Sequence, residues 1–170
     1  MTTEATPTVC YRLHVLHRAR FPLPAAEGFD LREDVMGGCP PGSRLLLAEV
    51  GGCACALVAR ESGDRAEQER ARRGKQGWSR AKIERAIEAR GASRARGDRG
   101  RRAFEAWLDA AVTSVPGMRV LVSEYGDPVP TVAEVRIVVP AAFVQAPLEH
   151  RGVWVKFASV AEKGMESEGA

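Results

Sequence analysis

The stretch "RLLLAEVGGCACALVA", residues 44–59, carries the strongest fold signal in the sequence. Two runs of β-compatible residues flank a Gly-Gly pair, and tight hairpin turns need the positive backbone φ angles that glycine adopts readily. With Gly51 and Gly52 at the turn, Val50 faces Cys53, and alternate residues of both runs share a face. Both faces are mainly apolar, so this stretch predicts two interior strands of a covered sheet.

The rest of the chain extends this pattern on both sides. Alternating or apolar runs predict further strands at residues 9–19, 118–125, 134–140 and 153–159. Between the two groups of strands, Ser79 is a suitable N-cap for one helix and Gly91 fits its end, while Pro116-Gly117 ends an amphipathic helix at 103–115. Residues 20–43 are rich in proline and glycine and predict a loop with one helical turn at 31–36.

The resulting order, β-β-β-α-α-β-β-β, predicts the fold class. It favours a single α+β domain with a mixed or antiparallel sheet of about six strands and helices on one face. We expect this domain to span residues 9–160 of the 170-residue chain, with a disordered N-terminus at 1–8 and a disordered acidic tail at 161–170. Residues 60–102 form a basic insert, helical at first and then a flexible Arg/Gly-rich connector at 92–102.

Charge is distributed unevenly along the chain. Residues 60–102 contain 15 Lys or Arg against 7 Asp or Glu, a formal charge of +8, whereas the whole chain carries +3. A basic segment on an acidic body suggests an anionic partner. A compositional cause is the alternative, because 21 of the 25 basic residues are Arg and the chain has no Asn, a bias typical of a GC-rich bacterial genome.

The basic segment supplies the leading function hypothesis. Flexible arginine-rich segments contact nucleic-acid backbones without reading sequence. We therefore expect a small, non-catalytic binding or accessory protein that engages nucleic acid or an acidic protein partner. The candidate binding residues are Arg70, Arg72, Arg73, Lys75, Arg80, Lys82, Arg85, Arg94, Arg96 and Arg99.

The cysteines supply the alternative, a small thiol- or metal-dependent enzyme or sensor. Cys53 and Cys55 share a face if residues 53–59 form a strand, and Cys39 lies in the loop "GGCPPGS". The spacing is not that of a zinc knuckle, however, and no second pair follows. An apolar face would raise the pKa of the thiols and leave them inert, so core filling is the competing interpretation of Cys53 and Cys55.

Other function classes find little support in the sequence. No apolar run reaches the roughly 20 residues that span a bilayer, and residues 1–10 do not resemble a secretory signal. We therefore expect a soluble cytoplasmic protein that does not bind a membrane. Phosphate-binding glycine motifs and metalloprotease motifs do not occur, so we expect no cofactor. The loop carboxylates Asp30, Glu33 and Asp34 are expected to be solvated.

Overall fold

A computed structural model describes residues 9–34, 39–59, 66–130 and 135–158. The strands in these residues are β1 Tyr11–Arg18, β2 Asp30–Glu33, β3 Ser43–Glu49, β4 Arg119–Glu124, β5 Val135–Val138 and β6 Trp154–Phe157. They form one sheet in the order β2-β3-β1-β4-β6-β5. Every neighbouring pair is antiparallel except β5 and β6, which are parallel. The predicted α+β class with a mixed sheet of about six strands is confirmed.

The helices in the described residues differ greatly in length. They are α1 Cys55–Val58, α2 Ala66–Lys75, α3 Arg80–Ser114 and α4 Pro140–Gln145, followed by a short 3₁₀ helix at Pro147–His150. Helix α3 has 35 residues and is therefore about 50 Å long. Its predicted N-cap is present, since the Ser79 side chain accepts a hydrogen bond from the backbone N–H of Lys82 at 3.4 Å.

One face of the sheet packs against the helices and forms the main core. Leu13 and Val15 of β1 lie on this face and join a buried cluster with residues of α1, α3 and α4. Phe29, just before β2, meets the rings of Phe104 and Trp107 edge-on, with centroids 5.4 and 5.5 Å apart. The other face carries a smaller buried cluster of Leu16, Leu45, Leu121 and Trp154.

The predicted hairpin is present only at its turn. Gly51 and Gly52 have φ angles of 62° and 82°, and Val50 pairs with Cys53 in a single β-bridge. Beyond the bridge, Ala54 is helical and α1 begins at Cys55, so the strand predicted at residues 53–59 was wrong. The reason is that both edges of β3 are occupied, one by β1 and the other by β2.

Strand β2 takes the place of the missing hairpin partner. Residues 31–33 belong to this strand, so the helical turn predicted at 31–36 was wrong in this part; residues 35–38 lie outside the described ranges. Leu31 pairs with Ala48 across the β2–β3 ladder and packs on the main core. A four-residue edge strand lacks a long alternating pattern, and proline and glycine dominated the surrounding sequence.

Helix α3 is continuous where a helix end and a flexible connector were predicted. Gly91 does not stop it, and the whole of residues 92–102 is helical. Gly97 and Gly100 are buried and face other parts of the chain: a Cβ on Gly97 would lie 3.1 Å from that of Ala56. The glycines that suggested a linker are instead points of close helix packing, which compensates for their low helix propensity.

The predicted chain ends, residues 1–8 and 161–170, lie outside the described residues, as does the start of the basic insert at 60–65. Within the described ranges, every helix is too short or too polar to cross a lipid bilayer.

Candidate functional site

A cavity of about 620 Å³ lies between the Gly51-Gly52 turn, α1 and the middle of α3. One wall is formed by small or apolar residues of the N-terminal segment, the turn and α1. The opposite wall is the arginine-rich part of α3. The lining residues are Val9, Val50, Gly51, Cys53, Cys55, Ala56 and Ala59 on one side and Arg90, Ser93, Arg94, Arg96, Gly97, Asp98 and Arg101 on the other. The cavity thus combines residues from both sequence-derived hypotheses.

Helical spacing explains why α3 presents several arginines to the cavity. Arg90, Arg94, Gly97 and Arg101 follow at intervals of four, three and four residues and therefore lie on one face of the helix. Gly97 lets α1 approach within this row, because it has no side chain to hold Ala56 away. Arg90 and Arg101 were not among the candidate binding residues, since the spacing has meaning only if the helix continues past Gly91.

Arg101 is held by two neighbouring groups. Its side chain is only 18% exposed and pairs with Asp98 at 3.2 Å. Its Nη2 also donates to the backbone oxygen of Ala56 at 3.4 Å, which ties α3 to α1. The buried Nε has no hydrogen-bond partner in the described part of the chain. Arg101 therefore places a fixed positive charge in the wall of the cavity.

Arg96 enters the cavity from the other flank of α3. Its side chain is exposed, and its Nη1 lies 4.0 Å from the position that a Cβ on Gly51 would occupy. Arg96 makes no ion pair with a carboxylate of the described residues. Its guanidinium group therefore keeps its donors available to an anion at the mouth of the cavity.

Cys53 and Cys55 lie together in the opposite wall. The helical conformation of Ala54 turns the tripeptide, and the backbone N–H of Cys55 lies 3.2 Å from Cys53 Sγ. Cys55 Sγ accepts a hydrogen bond from the backbone N–H of Tyr11 at 3.4 Å. Burial, followed by the hydrogen bond with Cys53, raises the pKa of Cys55 to about 11. The Cys55 thiol is therefore protonated at neutral pH and a weak nucleophile.

Cys39 lies elsewhere in the molecule. It packs against the smaller buried cluster on the face of the sheet opposite the helices, and burial raises its pKa. The structure therefore brings Cys53 and Cys55 together but leaves Cys39 apart from them. Within the described ranges, no group of three or more His, Cys, Asp or Glu side chains is arranged to hold a metal ion.

Several of the predicted binding residues form ion pairs within α2 or between α2 and α3. Glu69 is almost fully buried and pairs with Arg72, Arg73 and Arg90. Arg70 pairs with Glu84 of α3 at 2.8 Å. The hydrogen bond from Arg73, together with that from Arg72, keeps the pKa of Glu69 below its usual value. These arginines therefore serve the fold of the helical pair.

The Trp78 ring joins the same helical pair. Arg73 and Lys82 each place a cation over this ring, at 4.2 and 4.1 Å from its centroid. The remaining candidates are more open to solvent. Lys75, Arg80, Arg85 and Arg99 are exposed, whereas Arg94 is half-buried in the cavity wall. Lys75, Arg85 and Arg99 form no ion pair with a carboxylate within the described ranges.

A second polar group lies on the opposite face of the sheet. His14 is fully buried, and its Nε2 lies 3.1 Å from Oδ2 of Asp34, whose side chain is 7% exposed. The expectation that Asp34 is solvated was therefore wrong. Burial lowers the pKa of His14, while the neighbouring Asp34 acts in the opposite direction. Ser123, also buried on this face, has no hydrogen-bond partner for its hydroxyl in the described residues.

Comparison with known proteins adds no assignment to this geometry. The chain matches no known protein family, no curated protein and no solved structure at a significant level.

Proposed function

We propose that this protein is a non-catalytic binding protein that engages the phosphate backbone of nucleic acid through α2 and the first two-thirds of α3. The observation that carries the proposal is the charge of one helical unit. Residues 66–102 hold 13 Lys or Arg against 5 Asp or Glu, and apart from the short link between α2 and α3 they are helical throughout. Such a local concentration of positive charge binds a polyanion more strongly than it binds a ligand with a single charge.

Not every cation of this surface is available to a partner. Arg70, Arg72 and Arg73 pair with glutamates of the same helical unit. Lys75, Arg85, Arg96 and Arg99 are among the exposed cations that lack such a pair in the described residues. If these four neutralise four phosphates, the logarithm of the binding constant should fall with the logarithm of salt concentration with a slope of about −3 for a single strand.

The preference for nucleic acid over an acidic protein rests on arginine chemistry. Three of these four cations are arginines, whose planar fork binds a phosphate group and whose flat face also stacks on nucleobases. Arg85, Arg96 and Arg99 lie along one side of α3, and such a line of guanidinium groups suits contact with an extended strand. The alternative of a thiol enzyme is weakened by the protonated Cys55 and by the separation of Cys39.

The test is binding of a labelled single strand of about 20 nucleotides, measured by fluorescence anisotropy between about 50 and 200 mM salt. The variant K75Q/R85Q/R99Q removes three available charges. It should lose roughly tenfold or more in affinity at the lower salt concentration, and its salt slope should become shallower by about 2.

The matched control removes the same charge from the body of the protein. Arg18, Arg44 and Lys156 are exposed on strands β1, β3 and β6, and R18Q/R44Q/K156Q should bind the strand as the unchanged protein does. Equal losses in the two variants would contradict the proposal. So would displacement of the strand by polyglutamate at equal charge concentration, which would identify an acidic protein as the partner class.

A further inference from the structure

We infer that the cavity between α1 and α3 is a binding site for a single nucleoside phosphate, either free or at the end of a strand. The inference rests on the proposed function and extends it, because it names the chemical unit of nucleic acid that the cavity binds. It rests on the chemistry of the two walls and on the size of the space between them.

The arginine wall provides the phosphate-binding groups. Arg101 is fixed by Asp98 and by the backbone of Ala56, and Arg96 stands exposed at the mouth. Together with Arg90 and Arg94, four of the fourteen lining residues that the structure describes are arginines, and Asp98 is the one acidic residue among those fourteen. Guanidinium groups bind phosphate oxygens in bidentate fashion, and their planes also stack on flat rings.

The opposite wall provides an apolar surface. Val9, Val50, Ala56 and Ala59 line it, together with Gly51 and the two thiols. The Cys55 thiol is held in its neutral form, so it adds no negative charge to repel an anion. A wall of small apolar side chains facing a wall of cations suits a ligand with one flat apolar end and one anionic end.

The size of the cavity favours a nucleoside phosphate over a small inorganic anion. At about 620 Å³ the space falls in the range of sites that bind whole small molecules, and a lone phosphate ion would leave most of the apolar wall uncovered. A nucleoside monophosphate contacts both walls at once. Binding should therefore need the phosphate and the base together.

The first experiment is calorimetric titration of the full chain with adenosine 5′-monophosphate, adenosine and inorganic phosphate. The monophosphate should bind at least about tenfold more tightly than either part, since each part contacts one wall. R96Q should lower its affinity by roughly tenfold, because a charge-assisted hydrogen bond is lost. Arg102 is exposed, lies outside the cavity and belongs to the same helix, so R102Q is the matched control.

The cysteines provide a second measurement that needs no variant. Adenosine 5′-monophosphate should slow the alkylation of Cys53, which lines the cavity, without changing that of Cys39 on the other sheet face. Residue-specific rates follow from mass spectrometry of the labelled peptides. Equal affinity for the monophosphate and for phosphate, equal losses in R96Q and R102Q, or unchanged labelling of Cys53 would each overturn the inference.

Two further comparisons distinguish a free nucleotide from a strand end, and distinguish failure of the cavity assignment from failure of the proposed function. Displacement of the monophosphate by a 5′-phosphorylated oligonucleotide, but not by its 5′-hydroxyl form, identifies a strand end as the occupant; displacement by neither identifies the free nucleotide. K75Q/R85Q/R99Q leaves every lining residue in place. Normal binding of the monophosphate by that variant supports the cavity assignment independently of the charged surface. If strand binding by the unchanged protein does not depend on salt, the proposed function fails while the cavity assignment stands.

Discussion

Gly100 of α3 packs directly against Val50, so closely that a Cβ on Gly100 would overlap the valine Cγ2 and lie 3.4 Å from the backbone oxygen of Gly28. The contact joins the helix to the end of strand β3 and to the segment before β2. Because the helix axis can approach the turn only where side chains are absent, this glycine sets the distance between the two walls of the cavity.

Gly100→Ala should therefore destabilise the protein although alanine favours helix formation. The gain in helix propensity is about 1 kcal/mol, whereas overpacking at a β-branched neighbour costs about 1 to 3 kcal/mol. We expect the clash to exceed the gain and to lower the urea midpoint. A displaced turn should also weaken binding of adenosine 5′-monophosphate.

Gly91→Ala is the matched control in the same helix. Gly91 is exposed, and nothing lies within 4 Å of a Cβ added there. This substitution should raise the free energy of unfolding by up to about 1 kcal/mol. A stabilising effect of Gly100→Ala in the same urea titration would contradict the packing described here.

Glu69→Gln should destabilise α2 and weaken its contact with α3. The carboxylate pairs with Arg72, Arg73 and Arg90, and its loss should cost about 1 kcal/mol near neutral pH. Because Arg73 and Arg72 lower the pKa of Glu69 from 4.5, its contribution is fully present above that value and is lost as the pH falls through the folded-state pKa.

The measurement is the difference in urea midpoint between the unchanged protein and Glu69→Gln, at about pH 6 and again below about pH 4. The difference should shrink at the lower pH. Glu67→Gln serves as the control, since Glu67 is an exposed carboxylate on the same helix, and it should change the midpoint little at either pH. A difference that persists in acid would rule out the ion pairs as its cause.

His14 should make the fold sensitive to mild acid. Burial lowers its pKa from 6.5, so the unfolded chain binds a proton more readily than the folded one. Stability should therefore be greatest above about pH 6.5 and fall as the pH drops from there through the folded-state pKa of His14. An NMR titration of the His14 ring protons, followed beside urea unfolding, measures both quantities.

Asp34→Asn tests whether the Asp34 carboxylate raises or lowers the pKa of His14. The Asp34 carboxylate raises the pKa of His14 against the effect of burial, so its removal should lower that pKa further. Asp30→Asn, at an exposed carboxylate on strand β2, should leave the His14 titration in place. A His14 pKa above 6.5 in the unchanged protein would show that the ion pair, and not burial, dominates.

Cys55 should be among the slowest thiols to react. With a pKa of about 11, its alkylation rate should rise tenfold per pH unit through the whole range in which the protein is folded, without reaching a plateau. Cys10 is exposed and should react faster at about pH 7.5. Residue-specific alkylation rates test this, and a plateau for Cys55 below about pH 9 would indicate a reactive thiolate instead.

Local sequence patterns predicted the secondary structure correctly where the pattern was strong and no tertiary contact opposed it. The alternating pattern of β1, the apolar run of β4, the Gly51-Gly52 turn and the Ser79 cap all correspond to structure. The amphipathic pattern after residue 103 lies in α3, which ends just before Pro116. In these segments, propensity and burial favour the same conformation.

Tertiary contacts decided the segments that were predicted wrongly. Residues 53–59 suit a strand, but with both edges of β3 filled they form α1 and bury Leu57 and Val58 under α3. The continuity of α3 depends on Gly97 and Gly100 meeting Ala56 and Val50, and no local pattern shows what a glycine will face. The cavity could not be predicted for the same reason, because it exists only between these two elements.

Helix α3 begins among the arginines and ends against the sheet without a break. No loop interrupts α3 between these two ends, so its first turns keep a fixed orientation relative to the sheet. A force applied at Arg80 is transmitted to Trp107 through continuous backbone hydrogen bonds of one helix.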